Sequence, residues 1–393
     1  MNRVIRQNFQ VQFQYQVLFS EGIFHPKNSL LVETLIPYHQ LNIAKAVVVI
    51  DEGMYAHHPE LMNDIRSYFH QYKDNIKLAG NPLLVTGGEA VKNDWKAVNQ
   101  VIDLLNEQKI DRHSYVIAIG GGAVLDAVGF ATTIAHRGVR LIRIPTTVLA
   151  QNDSGVGVKN AINYFDKKNF LGTFQPPFAV INDRSFLTTL SDRDWRSGIS
   201  EAIKVALIKD PDFFNWIEEN AHQLAQRDMD AMDTLIFRCA ELHTEHISTN
   251  GDPFEQGSSR PLDFGHWAAH KLEYLTNYAL THGEAVAIGI VLDSCYSHKI
   301  GYLSEAELTR ILQCFRDLGF ELDHPLLFDP NNSERINPEL IHGLEEFREH
   351  LGGVLTIMLL KAIGTGKEVH SIASDVLHQS THYLNQLRHL ITQ

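Results

Sequence analysis

Cysteine is scarce in this chain. Cys239, Cys295 and Cys314 are its only three, far apart, odd in number and without a Cys-x-x-Cys spacing. That pattern indicates neither a disulfide framework nor a cysteine metal site, and each thiol reads as a small buried apolar residue. A reducing cytoplasm is the expected compartment. Long apolar runs are also missing, and no stretch is long enough to span a bilayer. The opening MNRVIRQNFQVQFQYQVLF alternates polar and apolar residues, so it is expected to be a strand and not a signal peptide. Positive charge is in deficit, with 34 Lys and Arg against 47 Asp and Glu and a net charge of −13. This argues against nucleic acid or an anionic membrane surface as the main partner. It leaves room for a small anionic substrate held in a local basic pocket. No internal repeat or low-complexity tract is present.

A chain of 393 residues that is 44% hydrophobic exceeds what one core accommodates and implies two domains. Short β-branched runs, KAVVVID (45–51), NPLLVTGGE (81–89), SYVIAI (114–119), RLIRI (140–144) and FAVIN (178–182), alternate with helical patterns such as 93–108 and the stretch after Gly120–Gly122. Such alternation predicts a parallel sheet covered by helices. Beyond about residue 185 helical patterns dominate, one of them opened by a Ser304-x-x-Glu307 capping box, with one β-like run at 352–360. The expected organisation is an α/β nucleotide-binding, Rossmann-like domain over 1–185 and a helical metal- and substrate-binding domain over 186–393.

The chemistry concentrates around DFGHWAAHKLEYLTNYALTHGEAVAIG. His266 and His270 are four apart in an apolar helical pattern and share a face, and His282 opens the next apolar run. Histidines at adjacent helix ends can converge on one divalent ion, and Glu201 in SEAIKVALIKD is the best candidate for a third ligand, leaving a position open for substrate. Lys204 lies one turn on, where it can hold an oxyanion or simply form an i,i+3 salt bridge. The strand-glycine-helix turn IGGGAVLD brings backbone N–H groups toward a pyrophosphate, although its spacing is not GxGxxG. Asp51, Glu89 and Lys92 stand at neighbouring strand ends, where they suit an adenosine ribose. The polar stretch 145–172 is predicted to be a long functional loop. In it Thr146 and Thr147 suit a dinucleotide, and Lys159, Lys168 and Asn169 suit phosphate, as does Arg137 upstream.

The ordered set GGGAVLD, PTTVLAQNDSGVGVK, KKNFLG, SEAIKVALI, DFGHWAAH and HGEAVAIG resembles the sugar-phosphate cyclase family typified by 3-dehydroquinate synthase, over roughly residues 45–365. The resemblance implies a dehydroquinate synthase-like fold, catalytic NAD, one divalent metal (Zn or Co) and a homodimer. It implies Glu201, His266 and His282 as metal ligands. Asp51, Glu89, Lys92, Gly120, Gly121, Gly122, Asp126, Thr146, Thr147, Lys168 and Thr189 fall where the family binds NAD. Asp153, Lys159, Asn169, Lys204 and His270 fall in its substrate site, with Lys204, Asp153 and His270 handling protons and charge. Arg137 matches an arginine that reaches in from the neighbouring subunit.

Departures from the pattern bear on the substrate. His243 replaces a lysine, Ser259 or a displaced Arg260 replaces an arginine, and Asp263 replaces an asparagine. A C-terminal lysine pair becomes FREHLGG, with Arg348 and His350. FREHLGG is more similar to the cyclases acting on sedoheptulose 7-phosphate, and LDFGHWAAHKLE resembles the EboD-type cyclases of bacterial metabolite clusters. The expected reaction is transient oxidation, phosphate elimination, re-reduction and aldol closure of a phosphorylated seven-carbon ketose to a cyclitol-type carbocycle. The alternatives are a true 3-dehydroquinate synthase acting on 3-deoxy-arabino-heptulosonate 7-phosphate, and a metal-dependent polyol dehydrogenase.

Overall fold

A computed structural model describes residues 3–36, 43–165, 167–254, 257, 261–350 and 353–391. The chain forms two compact units, one of residues 1–145 and 158–183, the other of residues 146–157 and 184–393.

The first unit is built on strands β1 (Gln16–Ser20), β2 (Ala44–Asp51), β3 (Ile76–Leu78), β4 (Leu83–Val85), β5 (Tyr115–Gly120), β6 (Arg140–Pro145) and β9 (Ala179–Asp183), with a hairpin of β7 (Lys159–Tyr164) and β8 (Lys167–Phe174). Its helices are α1 (Leu30–Leu35), α2 (Glu52–Tyr55), α3 (Leu61–Gln71), α4 (Lys96–Glu107) and α5 (Gly122–Ile134). The sheet order is β1-β9-β6-β5-β2-β3, with β4 also paired to β2, and every pairing is parallel. β5 is buried throughout and β2 nearly so, as strands covered on both faces should be. After β2 the chain builds outward through β3 and β4, then returns to place β5 on the other side of β2. The strand order therefore reverses between β2 and β5, where sheets of this kind bind ligands at the carboxyl ends of their strands. Asp51 and Gly120 end those two strands.

Two expectations for this unit fail. Regular pairing begins only at Gln16, where β9 offers a partner; residues 3–15 are not a strand, and Val4, Ile5, Phe9, Val11 and Phe13 are exposed. The stretch 145–172 is mostly regular, comprising a helical turn over Ala150–Ser154 and then the β7–β8 hairpin. The hairpin is hard to read in sequence because two of the four buried positions of β7 are asparagines. Asn160 accepts from the buried Arg143 guanidinium at 2.7 Å, and the Asn163 amide donates to Asn93 at 2.7 Å.

The second unit contains helices α6 (Asp192–Ser197), α7 (Ile199–Lys209), α8 (Pro211–Glu219), α9 (Ala221–Ala225), α10 (Met229–Thr249), α11 (His266–Leu275), α12 (His282–Lys299), α13 (Glu305–Asp317), α14 (Pro338–His350) and α15 (Ser374–Ile391). It also holds two hairpins, β10 (Phe328–Asp329) with β11 (Asn332–Ile336), and β12 (Ile357–Ala362) with β13 (Thr365–Val369). α7 and α12 are buried along nearly their whole length, which puts them at the centre of the helical core. The expected Ser304/Glu307 capping box opens α13, and a second box, Thr281/Glu284, opens α12 at the position that orients His282. No described helix is long and apolar enough to cross a membrane.

Candidate active site

Three elements of the second unit bring Glu201, His266 and His282 together. Glu201 lies in the first turn of α7, and His266 and His282 are the first residues of α11 and α12. One ligand atom from each falls within 4.8 Å of the others. Glu201 Oε1 is 3.5 Å from His266 Nε2 and 3.2 Å from His282 Nε2. In both rings the other nitrogen faces an acceptor, Nδ1 of His266 the Phe264 carbonyl and Nδ1 of His282 the Glu273 carboxylate, each at 3.1 Å. Those partners favour the tautomer protonated at Nδ1, which leaves Nε2 bare. Two imidazole nitrogens and a carboxylate oxygen thus point at one place. Glu201 is fully buried and its carboxyl is held well below the usual range: burial pushes it up, but the Lys204 ammonium and then His266 outweigh that. Converging lone pairs around a buried carboxylate call for a cation, and one glutamate with two histidines fits a catalytic divalent ion.

His270, expected beside the metal, is exposed; its ring stacks on His282 at 6.0 Å and meets His266 edge-on at 5.4 Å. His270, Glu273 and His282 form a second ligand-like set sharing His282. Glu273 was missed in sequence, although His266, His270 and Glu273 follow the i, i+4, i+7 spacing of one helical face.

Lys204 is buried and pairs with Glu201, with Asp153 3.9 Å away. Its pKa is raised: burial pulls it down, but the charges of Glu201, Asp153 and Asp263 more than compensate. Asp153 is lowered, burial opposing the shift and Lys204 driving it. His243 Nδ1 lies 3.0 Å from Asp153 Oδ1. Three carboxylates therefore act on one ammonium. Arg348 is turned to Glu345 at 2.9 Å and to the Gly353 carbonyl at 3.3 Å. Ser259 and Arg260 lie outside the described residues, as does the side chain of His350.

The first unit gathers most of the residues expected at NAD. The Asp51 carboxylate caps α2 through Gly53 N–H at 2.8 Å and Met54 N–H at 3.2 Å. Bare glycines surround it: a Cβ on Gly87 would lie 2.1 Å from Asp51 Oδ1, and one on Gly120 would lie 2.9 Å from Asp51 Cβ. α5 starts at Gly122 with Gly121 before it, and no side chain caps its first N–H groups. A glycine cradle beside an uncapped helix start fits a pyrophosphate and ribose. Lys92 is buried and braces α5 by an ion pair to Asp126 at 2.8 Å, with Glu89 3.9 Å away. It also donates to Asn169, the asparagine expected at the substrate phosphate, whose own N–H donates to Asn163 at 2.9 Å. Lys168 is half-buried on β8 and Lys159 is exposed at the start of β7. Arg137 is exposed in a turn where His136, Arg137 and Gly138 all have positive φ (53°, 63° and 111°), a strain that L residues adopt only when the fold imposes it. Thr146, Thr147 and Thr189 belong to the second unit. Thr146 is buried, and the Thr147 hydroxyl accepts from the Ala150 N–H at 3.1 Å.

A nucleotide-type α/β unit and a helical unit carrying a Glu-His-His cluster define a metal-dependent, nucleotide-using enzyme class. Residues 82–197 match the 3-dehydroquinate synthase N-terminal family and residues 198–340 the 3-dehydroquinate synthase C-terminal family. The 3-dehydroquinate synthase of Nitrosomonas europaea is 36% identical over 292 residues, 74% of this chain and 76% of that protein. Among solved structures, the 2-epi-5-epi-valiolone synthase ValA of Streptomyces hygroscopicus, with NAD+ and Zn2+ bound, matches with a TM-score of 0.85 at 27% identity, covering 98% of this chain and 100% of that one. A 2-deoxy-scyllo-inosose synthase complexed with carbaglucose-6-phosphate, NAD+ and Co2+ shares the fold, with a TM-score of 0.75 at 21% identity over 93% and 96% of the two chains. The chain belongs to the 3-dehydroquinate synthase family of cyclising, phosphate-eliminating lyases.

Proposed function

We propose that this protein is an NAD- and divalent-metal-dependent cyclase whose substrate is a seven-carbon ketose phosphate without a carboxylate, sedoheptulose 7-phosphate being the first candidate. The reading rests on Lys204. In a pocket built for a carboxylate, cations would outnumber acids, whereas here Glu201, Asp153 and Asp263 all act on a single ammonium. Counting a divalent ion at +2, Lys204 at +1 and the three carboxylates at −3, with the imidazoles neutral, the described cluster sums to zero. Among the described residues no further cation is placed to offset a substrate carboxylate at Asp263, while a polyol hydroxyl can donate to it. The 27%-identical valiolone synthase supports the same direction, and the EboD-like LDFGHWAAHKLE fits a cyclase outside the dehydroquinate branch.

Bound NAD would supply reversible hydride transfer, and a bound divalent ion would supply Lewis-acid polarisation of the substrate oxygen. Glu201, His266 and His282 hold the ion; Asp51, Glu89, the Gly120–Gly122 turn, Thr146, Thr147, Lys168 and Thr189 hold the dinucleotide, with Lys92 and Asp126 fixing the helix start. Lys204 stays protonated and stabilises an oxyanion through Nζ. Asp153 stays ionised and accepts a proton, with the His243 ring 3.0 Å from its carboxylate. His270, exposed beside the ligand rings, is the further proton carrier. Lys159, Asn169 and Arg137 bind the phosphate, Arg137 from the second subunit of a homodimer.

The test is a coupled assay of inorganic phosphate and absorbance at the NADH band. Sedoheptulose 7-phosphate is expected to release phosphate without net NADH. Higher kcat/KM on 3-deoxy-arabino-heptulosonate 7-phosphate would make the protein a dehydroquinate synthase, and net NADH from unphosphorylated polyols would make it a dehydrogenase.

A further inference from the structure

α12 is apolar over its middle turns, yet it carries a buried aspartate, Asp293, only 1% exposed. Asp293 stands eleven residues after His282, close to three full turns, and so lies on the same face of the helix. Its carboxylate spans two donors: Oδ1 accepts from Trp267 Nε1–H at 2.9 Å, and Oδ2 from the Gly265 N–H at 3.1 Å. These donors flank His266 on either side. The same segment lies backbone to backbone against α12. A Cβ on Gly265, whose φ is +76°, would come 2.5 Å from Ile290 N, and one on Gly289 would come 2.0 Å from Gly265 O. The His266 ring is in turn hung from this segment through Nδ1 and the Phe264 carbonyl. The placement of His266 Nε2 therefore follows from how residues 264–267 seat on α12, and Asp293 is the polar group that fastens them.

We infer that Asp293 is a positioning residue for the metal centre, locking the His266 arm onto the helix that begins with His282 so that both imidazoles keep one spacing. The inference rests on the metal-site reading given under Proposed function. Alanine or leucine there would leave the Trp267 indole N–H and the Gly265 N–H buried without an acceptor. A buried carboxylate is costly unless its hydrogen bonds are made, and both of these are spent on the residues beside one ligand. Burial also pushes the Asp293 carboxyl up to about 7, so the group is held at a cost to stability.

The experiment uses the full chain stripped of metal by chelation and titrated with Zn2+ against a chromophoric chelator, with Co2+ spectra recorded in parallel. Asp293→Asn keeps the shape but turns an amide N–H toward one of the two donors, and Trp267→Phe removes one donor. Asp293→Asn is expected to weaken Zn2+ binding about tenfold, the low end of what losing an outer hydrogen-bond partner costs, and to shift the Co2+ visible bands. Trp267→Phe should lose less affinity in the same direction, and both should keep a cooperative melt when metal-free. Affinity within twofold of the parent in both folded variants overturns the inference. Failure of the metal-site reading looks different, because the parent would then bind no stoichiometric Zn2+, or Glu201→Ala would bind it as tightly as the parent.

Discussion

At the scale of single residues, the groups that matter are those whose charge the interior opposes. Asp293 has the clearest pH signature. Its folded pKa is raised to about 7 from 3.8, burial being the cause, with the hydrogen bonds from Trp267 and Gly265 only partly offsetting it. A raised acid favours the folded state while it is protonated, so its stabilising share is complete below about pH 4 and is lost as pH rises through 7. At roughly 1.4 kcal/mol per unit the full swing is on the order of 4 kcal/mol. The stability difference between the metal-free parent and Asp293→Asn, followed by denaturant titration from pH 4 to 8, should therefore move against the parent as pH rises; a flat difference would refute the assignment. Glu201 and Asp153 sit on the other side of this balance. Glu201 is buried and Asp153 half-buried, both are kept ionised by Lys204, and acid weakens the fold as it protonates them. Lys204 itself was legible as one turn from Glu201, but the third carboxylate acting on it was not, because Asp263 lies 59 residues away in sequence.

At the scale of elements, the helix starts organise the chemistry. α5, α11 and α12 each begin at a functional residue, and two glycines let α11 and α12 meet. Helix propensity alone would favour Gly289→Ala by about 1 kcal/mol. Contact predicts the opposite sign, because the added methyl would sit 2.0 Å from the Gly265 carbonyl and both partners are backbone. The variant should lose at least about 1–3 kcal/mol by chemical denaturation, as overpacked cores do, and lose Zn2+ affinity with it. Gly121→Val should block the approach of a pyrophosphate to the start of α5, and calorimetry should show NAD binding abolished while the metal titration is unchanged. The parallel strands, α5 and the helical second half were readable because continuous apolar runs and helical periodicity survive in the sequence. The β7–β8 hairpin was hidden because two of its buried residues are Asn160 and Asn163, satisfied by Arg143 and Asn93 that lie 17 and 70 positions away. The opening stretch misled for the converse reason: residues 3–15 alternate like a strand but have no place in the sheet order. Glu273 was available in the i, i+4, i+7 pattern, whereas the tie from Asp293 to the His266 segment could only be seen in three dimensions.

At the scale of the whole molecule, the net charge of −13 and the neutral sum that the cluster would have with a divalent ion bound support the proposed substrate, recognised through its phosphate and hydroxyls. Each charge-assisted hydrogen bond lost to a carboxylate is worth about 1.5–3 kcal/mol, so two such losses amount to a hundredfold or more in selectivity. Arg137 provides the test of assembly. If it serves the neighbouring subunit, Arg137→Ala and Lys204→Ala are each inactive alone but should regain part of the activity when mixed and allowed to exchange subunits; sedimentation of the active species as a monomer would exclude this. The path of the chain has a further consequence. It crosses from one unit to the other at 145/146, back at 157/158 and over again at 183/184. The short excursion carries Asp153, buries Val148 in the helical core and donates from Asn152 to the Gly198 carbonyl at 2.7 Å. No single cut can separate the two units. A gene fragment ending at 183 would leave that excursion without its packing partners, and one starting at 184 would lack both the acid beside Lys204 and a piece of its own core. Recombination at the apparent boundary would thus break both halves at once, so the two units can be inherited only together.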